Sequence, residues 1–352
     1  MLHLLLACAG APDDTSAPVD PVAFLTEPGA WSVGHTTVEV EYTDAEGEER
    51  ALRTSLWYPS HATSGFPAEY LLGYTQAEGV FEDAAPATDG DFPVVAYSHG
   101  HQGYAEASSF LAEHFASHGY TVISPDHTGN TTFDGSDRAT DIYLDRPRDL
   151  TAVLDAFEAG ALLASPQFDG DVVAMGHSFG GYTIFPAAGV PWDIDAIDEA
   201  CASGDTARVC THWSEDWASR FKAGASDPRV RAVVAMAPGD HWLLGSANVG
   251  TLGVPSLLMT GEFDPERTED GADYHDDLSP LGGRTLNVIG GAHNTFADVA
   301  GAMNDGQTLD AEEGHRLVRA YALAFVEHSL GRGDYASVLD GDTVISAAVE
   351  FP

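Results

Sequence analysis

The chain has 352 residues, enough for one large α/β domain with insertions. With 44% hydrophobic and 20% charged residues it can build a core, so disorder is not the default. Its 55 acidic against 15 basic residues give a formal charge of −40, which argues against nucleic acid as a partner, because phosphate binding needs a basic surface.

The first residues, MLHLLLACAGAPDD, run apolar and then polar. Leu5 to Cys8 resembles a bacterial lipoprotein box, in which the signal is cut before the cysteine and Cys8 carries the lipid. The apolar stretch is short and lacks the usual basic flank. APDDTSAPVDPV follows as a Pro- and Asp-rich tether. Residues 1–30 thus read as signal and tether. They imply an extracytoplasmic protein, either membrane-anchored or secreted.

HTTVEVEYTD and ALRTSLWYPS both alternate apolar with polar residues, and AEGEE joins them, so an antiparallel hairpin is expected. His61 to Asp91 is rich in Gly, Ala, Pro and Thr and reads as a long loop. The pattern then changes. FPVVAYSHG, YTVISPDHTG, DVVAMGHS, RVRAVVAMAP, VPSLLMTGEFD and RTLNVIGGAH are short apolar runs, the pattern of strands buried on both faces. Helical spacing separates several of them: AEASSFLAEHFASHG, a segment helical at least from Arg148, FGGYTIFPAAG, and LDAEEGHRLVRAYALAFVEHSLG at the end. Alternation of this kind predicts a mostly parallel sheet with helices on both faces. The predicted domain runs over 31–335, and 336–352 is a C-terminal extension.

One segment interrupts the alternation. Residues 190–227, about, carry Trp192, Trp213, Trp217, Cys201 and Cys210. A connection this long is expected to be functional or structured in itself. It reads as a cap, pinned by a Cys201–Cys210 disulfide, with its tryptophans lining a substrate pocket. No zinc-like spacing follows, so no metal site is expected.

Gly-His-Ser-Phe-Gly at 176–180 lies between a predicted buried strand and a predicted helix. In that setting a serine is held exposed on a strained turn, and Ser178 is the candidate nucleophile. A hydroxyl needs a base to take its proton. Among the histidines after Ser178, His293 follows a strand in the glycine-flanked GGAHNTFAD and is the candidate. The acid that orients the imidazole is sought at a strand end. SLLMTGEFDPE offers Glu262 and Asp264; Asp264 is preferred because it lies past the turn and before Pro265, and Asp240 in APGDHW is the rival. Two backbone N–H groups should form an oxyanion hole: Phe179, directly after the serine, and His101, in the loop after VVAYSHG. His99 and His177 read as buried structural residues.

The ordered set YSHGHQG, DHTGNTT, GHSFGGYT, GEFDPE and GGAHNTFAD resembles the α/β-hydrolase superfamily. Within it, the resemblance is to the platelet-activating-factor acetylhydrolase-like bacterial esterases, often labelled predicted dienelactone hydrolases. It covers roughly Trp31 to Leu330 apart from the cap. It implies an α/β-hydrolase fold, a Ser178–His293–Asp264 triad, Phe179 and His101 as oxyanion donors, and hydrolysis of short-acyl esters with no cofactor. The mammalian acetylhydrolases place the acid where Ala237 stands here, whereas bacterial polyester and dienelactone hydrolases place it at Asp264. Dienelactone hydrolases proper use a cysteine where this chain has Ser178. The expected partner is a small-molecule ester, and a monomer is favoured. The alternatives are a polyester or cutin-type hydrolase and a non-catalytic binding protein of the same fold.

Overall fold

The computed structural model describes residues 20–44, 47–70, 79–134, 139–163, 168–205, 207–303 and 305–352. Cys8 and most of the expected signal and tether lie outside the described residues. The strands are β1 (Ser32–Thr43), β2 (Glu49–Ser60), β3 (Val80–Glu82), β4 (Phe92–Ser98), β5 (Thr121–Pro125), β6 (Phe168–His177), β7 (Val230–Met236), β8 (Ser256–Gly261), β9 (Arg284–Val288) and β10 (Val349–Glu350). The helices are α1 (Pro21–Thr26), α2 (Ser109–Ser117), α3 (Ile142–Glu158), α4 (Phe179–Ala187), α5 (Ile194–Ala202), α6 (Glu215–Ala223), α7 (Ser246–Val249), α8 (Asp270–Leu278), α9 (Ala311–Ser329) and α10 (Ala336–Leu339).

The strands form one sheet in the order β10-β9-β8-β7-β6-β4-β5-β2-β1-β3. From β9 to β5 every pairing is parallel. Every residue of β4, β5 and β8 is buried, as strands covered on both faces must be. β1 and β2 form the expected antiparallel hairpin, with Ser32 opposite Ser60 and Thr43 opposite Glu49. One face of the sheet carries the core built with α3, α4, α8 and the insertion. The other carries the core built with α1, α2, α9 and α10. This is the α/β-hydrolase arrangement.

Three differences from the sequence reading have physical causes. The expected loop from His61 to Asp91 contributes β3, which pairs parallel with β1. Part of the expected tether belongs to the domain: Leu25 in α1 is fully buried, and its carbonyl accepts a hydrogen bond from His114 Nε2 at 3.0 Å. The expected C-terminal extension closes one edge of the sheet, with Val349 opposite Val288 and Phe351 packed on Tyr321 at 5.8 Å. No described helix is long and apolar enough to cross a membrane.

The insertion folds as α5, a 3-10 turn at Arg208–Thr211, and α6. Cys201 and Cys210 are bonded, with Cα atoms 5.2 Å apart. Such a bond fits an oxidising compartment.

Candidate active site

β6 ends at His177 and α4 begins at Phe179, so Ser178 alone makes the turn. Its backbone pays for this with φ 55°, a region that L residues with a Cβ disfavour. Two glycines allow the turn. A Cβ at Gly176 would collide with the Gly180 carbonyl, and one at Gly180 would collide with the Ser98 carbonyl. Ser178 N–H donates to the Met236 carbonyl at 2.8 Å, which ties the turn to the end of β7.

His293 opens a 3-10 turn after β9. Its Nε2 lies 2.8 Å from Ser178 Oγ, and its Nδ1 lies 3.0 Å from Asp264 Oδ1. Asp264 follows β8 and is fully buried, while the His293 ring is 24% exposed and open to a ligand. Asp264 Oδ1 also accepts from Glu266 N–H at 3.0 Å, which fixes the carboxylate. Its Oδ2 is buried with no hydrogen-bond partner among the described residues. Of the rivals, Glu262 accepts from Gly290 N–H at 2.8 Å, and Asp240 stands at the start of a 3-10 turn with φ 57°, where its backbone carbonyl accepts from Leu243 N–H at 3.1 Å.

Burial alone would push the His293 pKa down. The hydrogen bond and charge of Asp264, with help from the charges of Glu266 and Asp305, outweigh it, so the net shift is upward. Glu266 itself is pushed up to about 7, first by burial and then by its hydrogen bond to Asp270 and that residue's charge. His177 is pushed down to about 3, by burial and then by the charge of His293. It is therefore neutral at ordinary pH, and its Nε2–H donates to the His293 carbonyl at 2.8 Å, which anchors the base's loop. His99 is likewise buried; its Nδ1–H donates to the Gly100 carbonyl at 2.7 Å.

The loop after β4 lies against the serine. A Cβ on Gly100 would sit 3.4 Å from Ser178 Cβ. The next residue, His101, places its ring 6.4 Å from that of Phe179, edge to face. The two residues expected to supply oxyanion donors are thus neighbours across the turn.

The three tryptophans, expected to line the pocket, pack together in the insertion. All three rings surround Phe221 of α6, at 4.9 Å for Trp192, 5.1 Å for Trp213 and 6.5 Å for Trp217. Trp192 donates to the Tyr182 hydroxyl at 2.5 Å and Trp213 to Asp198 at 2.7 Å. The insertion is further tied to the segment before α3, where His212 N–H donates to Thr140 Oγ1 at 2.8 Å. Its aromatic residues join the core built with α3, α4 and α8. Among the described residues, two exposed aromatic side chains lie on the loops after β7 and β8: Trp242, and Phe263 beside Asp264.

Sequence reasoning missed Arg146. Its helix was read from Arg148, yet α3 begins at Ile142 and runs through Pro147. Proline lacks the N–H that would reach the Tyr143 carbonyl, and the Tyr182 hydroxyl donates there instead at 3.4 Å. Asp145, Arg148 and Asp149 flank Arg146, so it reads as one member of a charged run and nothing local marks it as buried.

Comparison with known proteins points the same way. A chlorophyllase family model matches residues 80–192, a span that includes Ser178 and ends before Asp264 and His293. The structure is similar to a ferulic acid esterase from Streptomyces cinnamoneus, with a TM-score of 0.65 and 22% identity over 93% of this chain and 98% of that one. No curated protein matches. Fold and comparisons define the class by architecture: the chain has the α/β-hydrolase fold.

Proposed function

We propose that the protein hydrolyses carboxylic esters through Ser178, His293 and Asp264. The observation that carries this reading is the unbroken chain Asp264–His293–Ser178, with both contacts at hydrogen-bond distance. His293 Nε2 takes the proton as Ser178 Oγ attacks the ester carbonyl. Asp264 stabilises the imidazolium that forms. The Phe179 and His101 N–H groups bind the oxyanion of the tetrahedral intermediate. Imidazolium then protonates the departing alcohol and leaves an acyl-Ser178. Water, deprotonated by His293, attacks that ester and releases the acid, and the proton returns to Ser178. No cofactor enters this scheme.

The acyl group is short, as in the acetylhydrolase-like esterases that the sequence resembles. A second reading, an aromatic acyl group, draws on the exposure of Phe263 (43%) and Trp242 (36%) on the loops after β8 and β7. The solved neighbour named a ferulic acid esterase agrees with that alternative. A non-catalytic role is disfavoured, because a binding protein would have no need of all three triad groups in register.

The test is hydrolysis of p-nitrophenyl acetate and methyl ferulate, with a fluorophosphonate probe alongside. The wild type should turn over ester and take the probe at Ser178, and Ser178→Ala should do neither. Fresh, folded protein that takes no probe refutes the enzyme reading. Preference for methyl ferulate refutes the short-acyl assignment alone.

A further inference from the structure

We propose that Arg146 is a positioning residue for the oxyanion hole, holding both backbone donors in one geometry. This rests on the esterase reading and deepens it. The two donors come from separate parts of the chain, the start of α4 and the loop after β4. They serve only if they converge on one oxygen, and an error of an ångström is costly.

Arg146 has contacts on both parts. It is fully buried, with 0% exposure, which for an arginine demands a dedicated set of partners. One guanidinium nitrogen donates to Ser98 Oγ at 2.9 Å and also to the His99 carbonyl. The other donates to Asn130 Oδ1 at 2.9 Å. The Asn130 amide in turn donates to His101 Nδ1 at 2.9 Å. Arg146 thus grips the loop at 98–99 directly and at 101 through Asn130. On the other side, its guanidinium carbon lies 4.7 Å from the centre of the Phe179 ring. That ring is pinned by Tyr182, stacked at 5.4 Å, and by Tyr143, edge-on at 4.9 Å.

The chemistry selects arginine. A planar fork can donate in several fixed directions while its face lies on an aromatic ring. Lysine offers a compact charge and could not span Ser98, His99 and Asn130 while covering Phe179. The clamp is itself braced. Ser98 Oγ meets His127 Nε2 at 3.0 Å, and His127 Nδ1–H donates to Asp149 at 2.9 Å. Asp149 is held by Arg50 at 2.9 Å and Tyr42 at 2.7 Å. These contacts fall on the segments that carry the two donors, so the effect of Arg146 passes through them.

The experiment compares wild type, Arg146→Lys, Arg146→Met and Asn130→Ala. It measures kcat and KM for p-nitrophenyl acetate, inhibition by a phenylboronic acid that forms a tetrahedral adduct with serine, and thermal melting. Loss of one oxyanion donor typically costs about 10²- to 10³-fold in kcat. Both Arg146 variants should lose kcat on that scale, roughly 10²-fold, with KM within a few-fold. Boronate affinity should fall in parallel with kcat, which a purely structural defect would not cause. Asn130→Ala cuts only the branch to His101 and should show a smaller loss of the same kind. It decides the matter if the Arg146 variants do not fold. Folded Arg146→Met or Asn130→Ala that retains both kcat and boronate affinity overturns the proposal. Full activity in Arg146→Lys overturns the argument for a fork. Wild-type protein that neither hydrolyses ester nor takes the fluorophosphonate overturns the esterase reading itself, and the proposal with it.

Discussion

Under the proposed mechanism, Asp264→Asn separates two ways in which the acid can matter. Asparagine is isosteric, so its effect depends on which amide atom faces His293 Nδ1. Asp264 Oδ1 accepts two hydrogen bonds, from His293 Nδ1 at 3.0 Å and from Glu266 N–H at 3.0 Å. An NH2 group in that position would face two donors. The amide oxygen will therefore take it, and the imidazole will keep its tautomer. What is lost is the charge. Two unit charges about 4 Å apart interact by about 4 kcal/mol at an effective dielectric of 20. That corresponds to roughly a 10³-fold loss in kcat/KM. An inverted tautomer would cost more, about 10⁴-fold. The amide NH2 then occupies the Oδ2 position, which is buried and has no hydrogen-bond partner among the described residues. An unsatisfied buried donor costs about 1–3 kcal/mol of stability, so melting should fall by a few degrees. Asp264 also raises the His293 pKa, so its neutralisation should move the acid limb of kcat/KM to lower pH. The assay is the pH profile of ester hydrolysis with parallel thermal melts. A loss under about tenfold with an unmoved acid limb would refute the reasoning. So would a large loss in Asp240→Asn alone.

Two further outcomes follow from the site and its surroundings. Glu266 adds to the upward shift of His293, so Glu266→Gln should also move the acid limb to lower pH, because the base stays neutral further into acid; an unmoved or upward-moved limb in the pH profile would count against that coupling. The Cys201–Cys210 bond closes a loop with a sequence separation of 9, which chain entropy values at about 2–3 kcal/mol; paired Cys201→Ser and Cys210→Ser changes should speed hydrogen exchange across α5 and α6, and unchanged exchange there would show that packing around Phe221 suffices.

The parts of the fold that were legible share a cause. β4, β5 and β8 are buried throughout, and β6, β7 and β9 are buried over their C-terminal parts, so each carries an apolar run. The hairpin was legible because β1 and the start of β2 have one wetter side and therefore alternate, although β2 is buried throughout from Thr54 to Ser60. Ser178 could be singled out because its turn requires glycines two residues before and after it, and such spacing is visible in sequence. Asp264 was harder. What separates it from Asp240 is the backbone of Glu266 and the course of the chain after β8, neither of which leaves a compositional mark. β10 is two residues long, too short for any periodicity. Phe221 follows Trp217 by one turn on α6, but its contacts with Trp192 and Trp213 join segments that no local pattern brings together. A large apolar side chain reads the same whether it lines a pocket or fills a core. Arg146 was lost because Pro147 looks like a helix boundary, and because a buried arginine is justified only by partners distant in sequence.

Parallel topology accounts for where the site stands. The loop with His101, the turn with Ser178, Asp264 and His293 follow β4, β6, β8 and β9, four strands of one parallel set. Each therefore leaves the sheet at the same edge, and four segments far apart in sequence meet there. Reversing one of these strands would send its loop to the opposite edge and remove its residue from the site. The sheet brings the groups near one another, but it does not set their final geometry. Ser178 at φ 55° stores strain of order 1–3 kcal/mol. It persists because Gly176 and Gly180 allow close approach and the Met236 carbonyl holds the Ser178 N–H. Beyond Ser98 the loop after β4 leaves the sheet ladder and is next held at an isolated bridge between Gly103 and Thr131. Between those two points polar side chains reach it, and a fully buried arginine has the donors to hold Ser98, His99 and Asn130 at once.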